Sequence, residues 1–185
     1  CSLSGVGVIA ANAFGAGNLD DISRANSQGL WLAAIISLPA MLLLWNFDYI
    51  LLLTNQEPAN VFLAKTYLQA IVWGFPAVIG FSILKEVSSA LHRPQLISII
   101  MVVGLLLNGF ANYVLAFGKF GLPAFGLAGI GWASTIVLWL NFIVSCAWLL
   151  FHAHFRDYQL FSHLFKFDQE MLVNIFQTGW LLGLQ

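Results

Sequence analysis

Charge is what this chain has least of: seven Lys or Arg and eight Asp or Glu stand among 185 residues, 8% in all, against roughly 25% in an ordinary soluble domain. There is no basic surplus and no Lys/Arg-rich stripe, so the clustered cations that phosphate neutralisation needs are missing and no nucleic-acid partner is expected. Cysteine is nearly absent as well. Cys1 and Cys146 lie far apart, and Cys146 sits in an apolar run, where it reads as a small hydrophobe rather than half of a bridge. A metal set is lacking too: His152 and His154 are two apart, the wrong spacing for one helix face, with no Cys or carboxylate to complete a site. The glycines Gly126, Gly129 and Gly131 have no strand-turn-helix unit or following acid that would make them a dinucleotide fingerprint. Paired carboxylates and a base-oriented nucleophile are likewise missing, so neither an enzyme nor a bound cofactor is expected.

What is present is apolar length. Hydrophobic residues make up 60% of the chain, and between Gln95 and Phe151 the only charged side chain is Lys119. A helix crosses ~30 Å of hydrocarbon with about 20 apolar residues, and Gly118-Lys119-Phe120-Gly121 divides this stretch into two such runs. The whole chain predicts four complete spans, Gly29 to Phe47, Val61 to Leu84, Leu96 to Phe117 and Phe125 to Phe151. Partial spans flank them at Cys1 to Phe14 and Gln169 to Gln185. The fold class expected is therefore an all-α, polytopic transmembrane helix bundle with the lipid bilayer as its solvent. Opening on Cys1 and ending in a fresh apolar run, the chain is expected to be an internal piece of a longer protein.

Turn signals separate the spans: Gly15 to Asp21, Thr54 to Pro58, His92-Arg93-Pro94, Gly118 to Pro123, and the stretch His152 to Asp168. Links this short make antiparallel neighbours. Arg24, Lys85, Arg93, Arg156 and Lys166 then fall on one face, Lys65 and Lys119 on the other, and this bias predicts that the first face is cytoplasmic. His152 to Asp168 mixes charge with Phe155, Tyr158, Leu160, Phe161, Phe165 and Phe167, which predicts an interfacial amphipathic segment or an ordinary loop. Asp48 and the Lys85/Glu86 pair near span ends are expected to snorkel or anchor at the interface, with Lys85 and Glu86 pointing to different helix faces.

Polar groups inside spans are expensive unless paired or wet, which makes each a functional candidate. Asn108 and Asn112 are four apart and share a helix face with Gly104. Ser134, Asn141 and Ser145 share a line on the following span. Thr66, Gln69 and Trp73 form a third seam in a helix that Pro76 should bend. Together they predict a polar cavity between helices, with Trp73 and Trp139 able to offer flat faces to a cation. The plain alternative is that Asn and Ser merely bond across helix interfaces, worth about 0.6 to 2 kcal/mol each.

The order of motifs resembles the multidrug and toxic compound extrusion (MATE) family. Ala10-Ala11-Asn12-Ala13-Phe14-Gly15-Ala16-Gly17-Asn18 is similar to the end of that family's second helix, with Asn12 where Gln is common. Tyr49 to Pro58, Tyr67-Leu68 and Trp73-Gly74-Phe75-Pro76 resemble the link and fourth helix. Asn108, Asn112-Tyr113, Gly118, Gly121-Leu122-Pro123, Gly126 and Gly129-Ile130-Gly131-Trp132-Ala133-Ser134 resemble the fifth and sixth. Gln177-Thr178-Gly179-Trp180 is similar to the start of the seventh, with Trp180 replacing a proline.

The resemblance implies a multi-pass plasma-membrane protein of the bacterial inner membrane, a partial half of a twelve-helix transporter. It places a partial first bundle at 1–151, a cytoplasmic inter-bundle linker at 152–168 and the start of helix seven at 169–185. It also implies an antiporter that exports organic, often cationic, compounds in exchange for H⁺ or Na⁺ by alternating access. Its partners would be a small organic substrate and the remaining helices of the same protein. Asn108, Asn112 and Ser134 would face the first bundle's cavity. Some members place an Asp at the position of Asn112; an Asn cannot titrate, so the coupling acids are expected outside this piece. A lipid-linked oligosaccharide flippase of related architecture is the alternative, disfavoured because no Lys or Arg lies deep in a span. A non-transporting membrane scaffold also remains open.

Overall fold

Pro58 cannot donate a backbone hydrogen bond and Pro76 lacks the donor that Val72 would need four residues on, and these two residues shape the longest apolar stretch. Phe75 fills the gap from three residues away, its amide bonding the Val72 carbonyl. The computed structural model therefore divides this span into a helix, a 3₁₀ turn and a second helix. It describes residues 4–53, 56–152, 155, 158, 160–164, 166 and 168–183. Cys1, Thr54, Asn55, His154, Arg156, Phe165, Phe167 and Gln185 lie outside the described residues.

The helices are α1 (Ser4–Gly15), α2 (Leu19–Trp45), α3 (Phe47–Leu53), α4 (Pro58–Ile71), α5 (Phe75–Ala90), α6 (Gln95–Phe117), α7 (Gly126–Phe151) and α8 (Gln169–Gly183), with the 3₁₀ turn Val72–Gly74 between α4 and α5. Among the described residues, four continuous stretches are long and apolar enough to cross a membrane: Leu19–Trp45, Pro58–Ala90, Gln95–Phe117 and Gly126–Phe151. They answer the four expected spans, and the chain is an all-α membrane protein.

One boundary differs from expectation by ten residues. The first complete span begins at Leu19 rather than Gly29, because Asn18 caps it. The Asn18 side-chain oxygen accepts the Asp21 amide at 3.3 Å, and Asp20 and Asp21 sit in the first turn, where the helix dipole favours negative charge. Leu19 to Asp21, read as the end of a link, are thus helical, while Ala16 to Asn18 form the turn between α1 and α2. Helix ends elsewhere use left-handed residues: Gly17 (φ 70°) after α1 and Gly118 (φ 65°) after α6. The Asn18 amide reaches back to the Ala13 carbonyl and the Lys119 amide to that of Val114, so the last carbonyls are satisfied as the chain turns.

The chain forms two compact units. The first comprises Cys1–Ile35, Ile79–Ile100 and Phe142–Gln185, the second Ile36–Val78 and Met101–Asn141. In the first, α1, α2 and α5 meet where Gly29 has no side chain: a Cβ there would lie 2.9 Å from Ile83 and 3.0 Å from Val6. Val6 and Ile83 are fully buried at this point, as are Ile22, Leu84 and Val87 elsewhere on α2 and α5. In the second unit, α7 packs on α4 through Gly131, whose added Cβ would stand 2.6 Å from that of Ala70 and 2.8 Å from the Tyr67 carbonyl. Small residues take the place of a hydrophobic driving force, since in lipid close van der Waals contact and interhelical hydrogen bonds hold helices together.

Candidate functional site

The second unit joins two of the expected polar seams. Gly104 lets α7 come close to α6: Asn141 occupies the space a Cβ would need, its Cγ 2.7 Å from that point. One turn along α6, the Asn108 Nδ2 donates to the Ser134 hydroxyl at 3.3 Å. Asn112 in turn donates to the Asn108 Oδ1 at 2.9 Å. The result is a directed chain, Asn112 to Asn108 to Ser134, in which every donation runs toward α7. Its far end is open: the Oδ1 of Asn112 is buried and has no hydrogen-bond partner among the described residues.

A buried carbonyl oxygen without a donor is costly, of order 1–3 kcal/mol, and is satisfied by an N–H, a water or a desolvated cation. Neutral amides can offer such a dipole without titrating. Ser145, on the same α7 line, is fully buried and its hydroxyl also lacks a partner among the described residues. Groups of three or more His, Cys, Asp or Glu fit to hold a metal are absent among the described residues.

The third seam is not joined to this chain by any described bond. Thr66 bonds within its own helix, donating to the Phe62 carbonyl at 2.8 Å, and Gln69 is half-buried. Trp73 stands edge-on to Trp45, ring centroids 6.0 Å apart, and its carbonyl accepts the Trp139 indole N–H at 2.9 Å. The two tryptophans expected to face a cation are therefore tied to each other through a backbone carbonyl. Thr135, which the sequence reading passed over, donates to the Ala70 carbonyl at 2.7 Å. Its signal was available: it is the polar residue beside Ser134 on the face that meets the Pro76 break.

Charges near span ends depart from the snorkelling expectation. Asp48 is only 9% exposed and its carboxylate takes a 2.7 Å bond from the Lys65 ammonium, so α3 is clipped to α4. Chiefly through that bond, Lys65 holds the Asp48 carboxyl below its ordinary pKa. Lys85 and Glu86 do approach each other, at 3.9 Å; on a half-exposed pair this is worth little.

The first unit holds a polar cluster that the sequence reading missed. The segment expected to lie on the membrane interface docks on the first turns of α2. Asn26 donates to the Leu160 carbonyl at 2.8 Å, Gln28 to that of Lys166 at 2.6 Å, and the Trp31 indole to that of Leu164 at 2.8 Å. Ser23 and Ser162 share a hydroxyl bond at 2.9 Å. Phe155 and Leu160 are buried, so these two apolar side chains pack inward. Arg24 pairs with Asp168. Asp168 also caps α8, accepting the Met171 amide at 3.1 Å, and that bond first, then Arg24, lowers its carboxyl pKa.

Comparison with known proteins bears on the identity of this arrangement. The family model described as MatE matches residues 2–114. A probable multidrug resistance protein NorM of Synechocystis sp. is 31% identical over 98% of the chain and 40% of its own length. A NorM of the same description from Bradyrhizobium diazoefficiens is 36% identical over 96% and 38%. The multidrug resistance protein MdtK of Klebsiella pneumoniae is 30% identical over 95% and 39%. The chain thus spans about two fifths of the length of these relatives. A solved structure of an inward-facing multidrug resistance MATE family transporter of the MOP superfamily superposes with a TM-score of 0.82, 19% identity, over 97% of this chain and 40% of that one; this likeness establishes the fold.

Proposed function

We propose, starting from the fact that this chain belongs to the MatE family, that it forms part of a secondary antiporter which exports organic, often cationic, compounds in exchange for H⁺ or Na⁺. The chain is a multi-pass protein of the bacterial inner membrane. The single observation that carries the reading is the amide chain ending in the unpartnered, buried Oδ1 of Asn112. An acceptor held in the membrane by two bonded neighbours has no structural partner and suits a donor or cation that comes and goes. A transporter rather than an enzyme also agrees with the names of the relatives.

On this reading Asn108, Asn112, Ser134 and Asn141 line the transport path of the first bundle, with Thr66, Gln69 and Trp73 on its margin. The coupling acids belong to segments outside this chain, because no carboxylate stands within the amide chain. Rocking of one repeat against another about such a mid-membrane site is a general route to alternating access.

The test is transport of a fluorescent organic cation by the full-length protein in vesicles carrying either a proton or a sodium gradient. The Asn108→Leu/Asn112→Leu double variant should insert normally and lose efflux. Wild-type efflux from that variant removes these residues from the path. Absence of efflux by the unaltered protein under both gradients removes the antiport reading itself.

A further inference from the structure

We propose that Gly104 is a specificity-determining position: having no side chain, it parks the Asn141 amide against α6 and so keeps clear the approach to Asn108 and Ser134 that a bulky cation needs. The inference rests on the reading of that amide chain as part of a substrate path, and it adds which residue limits the size of what passes.

The Asn141 amide points head-on at Gly104. Its Cγ lies 2.7 Å from the place of an added Cβ, and both its nitrogen and its oxygen lie nearer still, so the polar edge of the group faces the Gly104 Cα. From Met101 to Leu107 every residue of α6 is exposed except Gly104. Asn141 is its cover. The Asn141 side chain has no hydrogen bond to any described residue, so its place is set by the shape of the notch and not by a bonding partner.

This contact sits on the seam that carries the amide chain. Gly104 meets Asn141, Asn108 bonds Ser134, and the Leu115 carbonyl lies 2.5 Å from the place of an added Cβ on Gly129, so rising numbers on α6 meet falling numbers on α7 as antiparallel neighbours require. Arg93 stands just before α6, on the face that the charge bias marks as cytoplasmic. A compound entering from that face reaches the Gly104/Asn141 pair about one turn ahead of Asn108.

A methyl group at position 104 removes the parking place, because its carbon would stand closer to the Asn141 amide than real Cβ contacts come. The flexible side chain yields before two packed helices part. Helical side chains lean toward the N-terminus of their own helix, which for Asn141 is the direction of Leu138 and Ser134. The displaced amide therefore moves toward the half-buried Asn108 and Ser134 and narrows the approach to them, which penalises a bulky cation and spares a small one.

Binding to the full-length protein tests this with two probes, tetraphenylphosphonium as the bulky cation and tetramethylammonium as the small one. Gly104→Ala should weaken tetraphenylphosphonium about ten-fold or more, the scale of one misplaced carbon in a fitted pocket, and tetramethylammonium by less than about two-fold. Adding Asn141→Ala makes room and should return the bulky cation to within a few-fold of wild type. Equal weakening of both cations, no weakening, or no recovery in the double variant overturns the assignment. Should Gly104→Ala fail to insert, the double variant is expected to insert, and its failure overturns the assignment too. A second readout needs no ligand: the side-chain amide resonance of Asn141, identified by its loss in Asn141→Ala, should shift in Gly104→Ala and stay in Gly109→Ala, where an added Cβ meets nothing within 4 Å. An unmoved resonance overturns the positioning of Asn141 by Gly104. An unaltered protein that binds neither cation removes the cation reading and the size selection with it, whereas binding of both with no change of ratio removes the size selection alone.

Discussion

The Thr135 hydroxyl donates to the Ala70 carbonyl at 2.7 Å, at the point where α4 tightens into the 3₁₀ turn Val72–Gly74. Within a 3₁₀ turn each amide bonds three residues back rather than four, which takes the Gly74 amide away from Ala70. A neighbouring helix supplies the missing donor. Trp139, one turn further along α7, does the same for the Trp73 carbonyl at 2.9 Å. The break imposed by Pro76 is thus stabilised from outside its own helix.

Thr135→Val should therefore lower the thermal midpoint of the detergent-solubilised protein, with a loss on the order of 1–3 kcal/mol for one buried unpaired carbonyl. Thr135→Ser keeps the donor and should recover most of it. Equal midpoints for Val and wild type would show that water or another donor serves Ala70.

Two glycines in neighbouring helices are expected to respond oppositely. Gly131→Ala places a Cβ 2.6 Å from that of Ala70 and should destabilise by forcing α7 off α4. Gly109→Ala meets nothing within 4 Å and should gain roughly 0.5–1 kcal/mol of helix propensity. Thermal unfolding of both variants side by side checks the contrast.

Removing one of the bonds that dock the 160–168 segment should make it more accessible to protease. In Asn26→Ala the Leu160 carbonyl loses its 2.8 Å donor, and limited proteolysis is expected to cut between His152 and Asp168 several-fold faster, on the scale of about 1 kcal/mol or more of local stability. Unchanged cleavage would mean that the buried Phe155 and Leu160 hold the segment without it.

Acid should act on the start of α8. The Asp168 carboxyl is held below its ordinary pKa by the Met171 amide and by Arg24, so its contribution to stability is complete above the ordinary carboxylate range and fades as pH falls through the lowered value. The thermal midpoint should therefore drop more steeply below about pH 4 in the wild type than in Asp168→Asn. Parallel curves for the two proteins would remove Asp168 from the account.

Asn108 is the hub of its chain, accepting from Asn112 and donating to Ser134. Asn108→Ala should cost more than Ser134→Ala, which leaves the Asn112 bond intact; each intramembrane bond is worth about 0.6 to 2 kcal/mol. The ordering of the two midpoints is the measurement.

Uninterrupted apolar length with almost no charge determined, from the sequence alone, that this protein lies in lipid as an all-α chain, because backbone groups there must be satisfied within each segment. The positions of α6 and α7 followed to within a residue, and four-residue spacing put Asn108 and Asn112 on one face. Only the tertiary structure decided which seams meet. The Asn108 chain reaches Ser134 because Gly104 admits α7, while Thr66 turns back on its own helix. It also decided that Asn26, Gln28 and Trp31 hold the 160–168 segment, since their partners are backbone carbonyls more than 130 residues away. A carbonyl is the same atom in every residue, so no side-chain pattern announces where such a bond will end.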